Sequence, residues 1–263
     1  MKPSRNVRGQ WRAGLALLLL CLGLAGAVRA GDPREVGPID LAITYEVKPV
    51  DRPALRALMQ NEGLRNFEQW KKAGLLADYK ILFSRYPDAP NWDMMALLTF
   101  TSDSAATRWK EIERAHPAGL PPKALALMTN IRTTPVDLHR QGTAAQPAAA
   151  PVYLVIPYDY LTSTNEYIRY LDGYLVPQVQ GWVDEGIVAQ YGVYIARYGA
   201  GRSWSSLLVI AYRDDDALGS RDRTVAKVRT RLAQEPVWKE WSDRKDKIRE
   251  ERAPVIGDLL TLH

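Results

Sequence analysis

The sequence predicts an α+β protein in which one strand–helix–strand–strand–helix–strand unit is written twice, and three observations carry that expectation. First, the stretch WKKAGLLADYKILFSRYP from Trp70 returns as WVDEGIVAQYGVYIARYG from Trp182, 112 residues later. Second, an ungapped alignment at that offset pairs Trp70 with Trp182, Gly74 with Gly186, Tyr79 with Tyr191, Arg85 with Arg197 and Trp92 with Trp204, with like-for-like apolar pairs between them. Third, both copies present the same order of alternating and helical spacings. Rare Trp pairs in register with a shared apolar pattern indicate a tandem duplication. The element order is the split βαβ pattern of a ferredoxin-like unit, βαββαβ.

The elements follow one another alike in the two copies. An extended apolar stretch opens each, Leu41–Val47 and Val152–Tyr158. A helix start comes next, Asp51 with Pro53 in one copy and the capping box Ser163–Glu166 in the other. Helical spacing continues through Leu55, Leu58 and Met59, and through Tyr167, Ile168, Tyr170 and Leu171. Gly63 and Pro177 predict a break, followed by a second helical piece ending near Trp70 and Trp182. Gly74 and Gly186 suit the left-handed position that stops a helix.

Two strands are expected next, Asp78–Tyr86 then Trp92–Phe100, matched by Gln190–Tyr198 then Trp204–Tyr212. The turns PDAPN and GAGRS join them. A second helix follows in each copy, capped by Ser102 or Ser104 in the first and starting nearer Ser220 in the second. The tails IRTTPVDLH and ERAPVIGDLLTLH close the copies at a spacing of about 119–121, so the extra residues belong to the second helical region. The expected organisation is residues 31–140 for the first repeat, 141–151 for an Ala/Pro-rich linker, QGTAAQPAAAP, and 152–263 for the second repeat.

Residues 1–30 read as a secretory signal peptide: Lys2, Arg5, Arg8 and Arg12, then an apolar run of about 16 residues, then small residues Val28 and Ala30. The run is shorter than the roughly 20 residues that span a bilayer. The chain has 35 Lys and Arg against 30 Asp and Glu, and the first 30 residues hold five of the basic ones and no acid. The mature chain is therefore formally neutral, with no field for nucleic acid and no membrane partner. Cys21 is the only cysteine, so thiol catalysis and disulfides are excluded for the mature chain. A periplasmic or secreted location is expected.

A tandem pair of such units, with a broken first helix and an aromatic-rich second strand, resembles the dimeric α/β-barrel superfamily, which includes antibiotic-biosynthesis monooxygenases, muconolactone isomerases and haem-processing enzymes. The resemblance covers nearly all of residues 40–263 and rests on topology and duplication. It implies that the two repeats pack as an intrachain pseudo-dimeric α/β barrel, completed without a partner chain, with a ligand inside the barrel or between sheet and helices.

No motif names a reaction. GxSxG, a phosphate-binding glycine loop, HExxH and HxH are absent, so no metal site and no cofactor are expected. His116 is placed in a loop, and His139 and His263 end the closing segments. Trp92 and Trp204 are read as core anchors, and DDD at Asp214–Asp216 as a solvated helix start.

The repeated Arg85 and Arg197 are the charged feature to follow. Alternation puts Arg85 with Tyr79, Ile81 and Phe83, and Arg197 with Tyr191, Val193 and Ile195. A charge on an apolar face is costly unless paired. Two readings stay open: an anion-binding arginine backed by tyrosines, or an arginine near a strand end that reaches solvent or pairs with a carboxylate such as Asp103 or Asp215. The opposite faces, with Ser84 and Tyr86 against Gly192, Tyr194, Ala196 and Tyr198, leave space for a ligand or for a helix. The ligand-binding candidates are Arg197, Tyr191, Tyr194, Tyr198, Arg85, Tyr79 and Tyr86. Asp88 lies near Arg85 and Arg202 near Arg197, which places an anionic or phenolic ligand nearer Arg197. Three functions compete: an exported binder of a small organic ligand, a cofactor-independent monooxygenase or isomerase, and a non-catalytic interaction protein with a filled barrel.

Overall fold

The structure is a computed structural model that describes residues 39–88 and 92–262. The signal-peptide segment and His263 lie outside the described residues. The chain runs β1 (Asp40–Val47), α1 (Arg52–Leu58), α2 (Leu64–Lys72), β2 (Leu76–Ser84), β3 (Met94–Phe100), α3 (Asp103–Ala115), α4 (Pro122–Leu125) and β4 (Met128–Thr143). It continues β5 (Val152–Tyr160), α5 (Thr164–Tyr170), α6 (Val176–Asp184), β6 (Val188–Ala196), β7 (Ser206–Tyr212), α7 (Asp215–Gly219), α8 (Arg221–Leu232), α9 (Pro236–Ile248), β8 (Arg249–Glu251) and β9 (Val255–Leu259).

All strand pairings are antiparallel, and the ladder closes on itself. Its order is β7-β6-β4-β1-β3-β2-β9-β5, and β5 pairs again with β7; the short β8 hangs on β5. Four strands from each half lie together, β4-β1-β3-β2 and β9-β5-β7-β6. Two seams join them: β4 against β6, with Val136 opposite Ala196, and β2 against β9, with Ser84 opposite Gly257. Among the described residues, closure pairs each of these eight strands on both sides. The fold is thus α+β, with one large antiparallel sheet.

Alternation along the strands separates three cores. Helices α1–α4 cover the outer face of the first half over Ile43, Leu55, Phe67, Ile81 and Leu98. Helices α5–α9 cover the second half over Tyr167, Tyr170, Leu175, Ile210 and Val228. The third core is the barrel interior, with Ala42, Leu82, Met95, Leu97, Val155, Tyr194, Leu207 and Val209. Trp92 and Trp204 close on that interior just before β3 and β7, and both are buried.

Several expectations change in detail. The breaks at Gly63 and Pro177 are single π-helical turns, Met59–Gly63 and Leu171–Leu175, inside continuous helices. The widened turn absorbs the mismatch and places Pro177 in the first turn of α6, where a missing N–H costs little. Strands β2 and β6 end at Ser84 and Ala196, so Arg85, Tyr86, Arg197 and Tyr198 lie beyond them. The second helical region starts at Asp215 rather than near Ser220, because the Asp214 carboxylate accepts from the Ala217 N–H at 2.7 Å. Residues 141–143 of the expected linker belong to β4. Gly142 makes that possible: a Cβ there would lie 2.3 Å from the Tyr191 ring on the neighbouring strand. Gly74 and Gly186 do adopt positive φ, 71° and 79°.

Candidate functional site: the open end of the barrel

The two ends of the barrel differ in filling. At one end Trp92, Trp204, Met95 and Leu207 leave a space of only 40 Å³. At the other a cavity of 200 Å³ opens between the start of β2 and the ends of β3 and β7. Its walls are Tyr153, Tyr194, Leu138, Val209 and Ala211, and its rim is polar, with Asp78, Lys80, Thr99, Gln141 and Gln190.

Two carboxylates serve this end and are driven apart. Asp40 opens β1 on the face of Ala42 and is 5% exposed. Burial pushes its carboxyl up to about 7, against bonds from the Phe100 backbone and the cavity-lining Thr99, and the nearby Asp137 charge pushes the same way as burial. Its Oδ1 has no hydrogen-bond partner. Asp78 is also partly buried, but Lys71 at 2.8 Å and Lys80 at 3.0 Å outweigh that and hold its carboxyl below the ordinary value. One group thus changes protonation near neutrality while the other stays ionised and fixes Lys80. Two carboxylates split by environment are the usual basis of an acid–base pair.

The tyrosines around Asp40 keep their protons. Burial pushes the Tyr153 phenol up to about 12 and raises the Tyr194 phenol further, with the Asp40 and Asp78 charges adding to the rise on Tyr194. They are hydrogen-bond donors at neutral pH. Asp40 lies behind the cavity-lining Thr99 and Tyr194 rather than in the wall itself, and the phenol O–H groups in the wall can stabilise an oxyanion. Among the described residues no group of three or more His, Cys, Asp and Glu could hold a metal ion.

Of the residues singled out from the sequence, the cavity gathers Tyr194 and the edge of Tyr191, whose ring belongs mainly to the core under α5–α9. Tyr79 faces the first-half helices, stacked on Phe67 at 5.6 Å, and its hydroxyl donates to Glu68 at 3.2 Å. Tyr86 and Tyr198 are 55% and 75% exposed.

Both arginines bind carboxylates across the seams. Arg85 reaches Asp258 at 2.6 Å and Asp215 at 2.5 Å, and Arg197 reaches Asp137 at 2.5 Å. Arg197 also lines a separate 420 Å³ groove with Leu41, Phe100 and Asp103. His139 is a half-buried β4 residue whose pKa burial lowers.

Sequence reading missed Asp40, because a lone Asp before a strand has no pattern; only closure of the sheet buries it. It also missed the tyrosine row of the second half. Tyr160, Tyr167, Tyr170 and Tyr174 stack successively at 4.7, 5.9 and 5.2 Å, and Trp238 continues the row at 5.0 Å. Arg249 lies 4.2 Å from the centre of Tyr158 and donates to the Tyr170 hydroxyl at 2.8 Å. The i, i+3, i+7 spacing in NEYIRYLDGY was the available signal.

No protein-family model matches the sequence, and no curated protein matches it. Solved structures match the fold. A monooxygenase candidate from Lactobacillus acidophilus is 15% identical, with TM-score 0.55, over 86% of this chain and 95% of that one. A second monooxygenase candidate, from Fusobacterium nucleatum, is 11% identical with TM-score 0.56, over 86% and 94% of the two chains. An anthrone oxidase-like protein is 11% identical with TM-score 0.53, over 88% and 93%. These neighbours are dimeric α/β-barrel proteins, and at such identities the likeness is one of fold alone.

Proposed function

We propose that this protein takes a single-ring phenol or carbon acid into the open end of its barrel and that Asp40 accepts the substrate's proton. The observation that carries this reading is Asp40 itself: buried, with Oδ1 unpartnered, a pKa of about 7 and Thr99 and Tyr194 beside it at the cavity. A base poised near neutral pH is the useful kind. A space on the order of 150 Å³ already holds a benzene ring, so 200 Å³ suits one ring. The resulting anion is electron-rich. It reacts with dioxygen in a cofactor-independent monooxygenase, or takes its proton back at another carbon in an isomerase. The names of the fold neighbours are consistent with the first course.

The repeat, the 31–140 and 152–263 division and the signal peptide complete the proposal: a fused, duplicated barrel, exported and cut near Gly31. The shared ion pairs at the two seams support the duplication. N-terminal sequencing of the secreted product tests the export.

The chemistry is tested with a panel of substituted phenols and hydroquinones, following oxygen uptake and deuterium exchange into the ring. Oxygen uptake marks the monooxygenase and exchange without uptake marks the isomerase. Asp40→Asn is expected to lower either rate by about 100-fold or more, the scale of a lost general base, with an unchanged near-UV spectrum. No binding and no turnover of any panel member would leave the barrel as a non-catalytic scaffold, which the Trp-filled end already resembles.

A further inference from the structure

Three buried polar atoms in the second half lack hydrogen-bond partners at one corner of the fold: Trp182 Nε1, the Tyr212 hydroxyl and Arg221 Nε. Trp182 lies in the last turn of α6, Tyr212 ends β7 and Arg221 begins α8. The Arg221 guanidinium carbon is 5.8 Å from the centre of the Trp182 ring. Arg221 also lies against Tyr212: burial raises that phenol's pKa, and the neighbouring guanidinium works against the rise. The two groups are close, but neither the hydroxyl nor Nε makes a hydrogen bond of good geometry. Trp182 and Tyr212 are 2% and 0% exposed. Burying such groups unpaired is expensive, so an unpaired cluster implies a missing occupant.

The first half holds the control. At the offset of 112 the matching residues are Trp70, Phe100 and Trp109. They make the same corner, with Trp70 and Trp109 edge to face at 5.3 Å and Phe100 and Trp109 at 5.8 Å. That corner is aromatic, and the Trp109 indole N–H donates to Glu113 at 2.8 Å. The second half replaces Phe by Tyr and Trp by Arg. Both replacements leave a donor unpaired there, and the one carboxylate that comes with them, Asp222, is almost fully exposed and holds Arg221 Nη1 from outside.

We propose that Trp182, Tyr212 and Arg221 form a binding site for a small monovalent anion of halide size. The indole N–H and the guanidinium only donate, and the phenol can donate, so one anion accepts from all three. A water accepts from two and then needs acceptors of its own. Arg221 supplies the compensating charge. Its Nη1 is held by the exposed Asp222 at 3.0 Å, which leaves Nε for the anion. The burial of Trp182 and Tyr212 admits an ion rather than an organic ligand.

The test uses the mature chain with chloride and bromide as probes and sodium gluconate as the ionic-strength control. Chloride NMR line broadening should be saturable in the wild type. It should weaken by about tenfold or more in Tyr212→Phe, as the loss of a charge-assisted hydrogen bond implies, and vanish in Arg221→Gln. A bromide-soaked crystal should show an anomalous peak within hydrogen-bond distance of Trp182 Nε1. Water alone at that position, an absence of saturable broadening, or equal broadening in wild type and both variants overturns the proposal. Tyr212→Phe restores the residue used in the first half, so the test stands even if the Arg221 variant folds poorly.

Discussion

The two ends of the barrel are made of the same eight strands and are used in opposite ways. At one end the loops before β3 and β7 each bring a Trp, and the space shrinks to 40 Å³. At the other the strand ends carry Asp40, Asp78, Lys80, Tyr153 and Tyr194, and 200 Å³ stays open. Indole rings exclude water and gain contact energy. Carboxylates in the same enclosure lose hydration, and at Asp40 that loss outweighs the nearby Arg197 charge and raises the pKa. A closed sheet thus provides a rigid wall at one end and a buried carboxyl with a raised pKa at the other.

The largest expected effect is at the filled end. Trp92→Ala should destabilise by about 3–5 kcal/mol, as emptying a buried indole site does, with Trp204→Ala close behind; urea unfolding measures both. A loss under about 1 kcal/mol, the size of an ordinary surface-to-core average, would mean that the Trp end is not a packed plug.

The next effect is at the open end and has the opposite sign. The folded-state pKa of Asp40 is raised, from 3.8 to about 7. The folded state therefore binds a proton more tightly than the unfolded one. That contribution is fully present below pH 3.8 and is lost as pH rises through about 7. Asp40→Asn should accordingly raise stability at pH 8 by roughly 1–4 kcal/mol, since each pH unit separating the folded and unfolded titrations corresponds to about 1.4 kcal/mol. At about pH 3.5, below both titrations, it should change little. Thermal melts across that range check it. Equal effects at both pH values would show that Asp40 does not titrate there.

Between the ends, the seam arginines give a smaller effect. Arg85 holds two carboxylates, but its side chain is 26% exposed and Asp215 is more exposed still. Arg85→Ala should cost about 1 kcal/mol, near the upper range for exposed pairs, and the loss should shrink in high salt. Arg197→Ala should cost a similar amount and should also alter any ligand of the 420 Å³ groove, whereas Arg85→Ala should not. Equal ligand effects would remove that asymmetry.

The smallest effect lies in the hairpin that carries Trp204. Tyr198 has φ 57° and is 75% exposed. Tyr198→Gly should relieve a left-handed backbone and stabilise by up to about 1 kcal/mol. A clear loss of stability would show that the Tyr198 ring has a contact of its own.

Periodicity made the element order legible, together with the alternation that separates the faces of each strand. Gly74 and Gly186 were legible as helix stops because positive φ favours glycine. The π turns were not, since Gly63 and Pro177 are equally compatible with a broken helix. Arg85 and Arg197 were legible as charges needing partners, and Asp215 was among the partners weighed for them. Asp258 and Asp137 were not foreseen, because they approach only when each half supplies a strand to the other's seam.

By itself the sequence determined what is local: strand and helix periods, the caps at Ser102 and Ser163 and the offset of 112. Tertiary structure decided which strand faces became the barrel interior, which end the Trp pair filled, and that Asp40 lost its water. The reason is physical. Propensity and periodicity act over a few residues, whereas a pKa shift, a cavity and an unpartnered polar atom depend on what the rest of the chain places around a group.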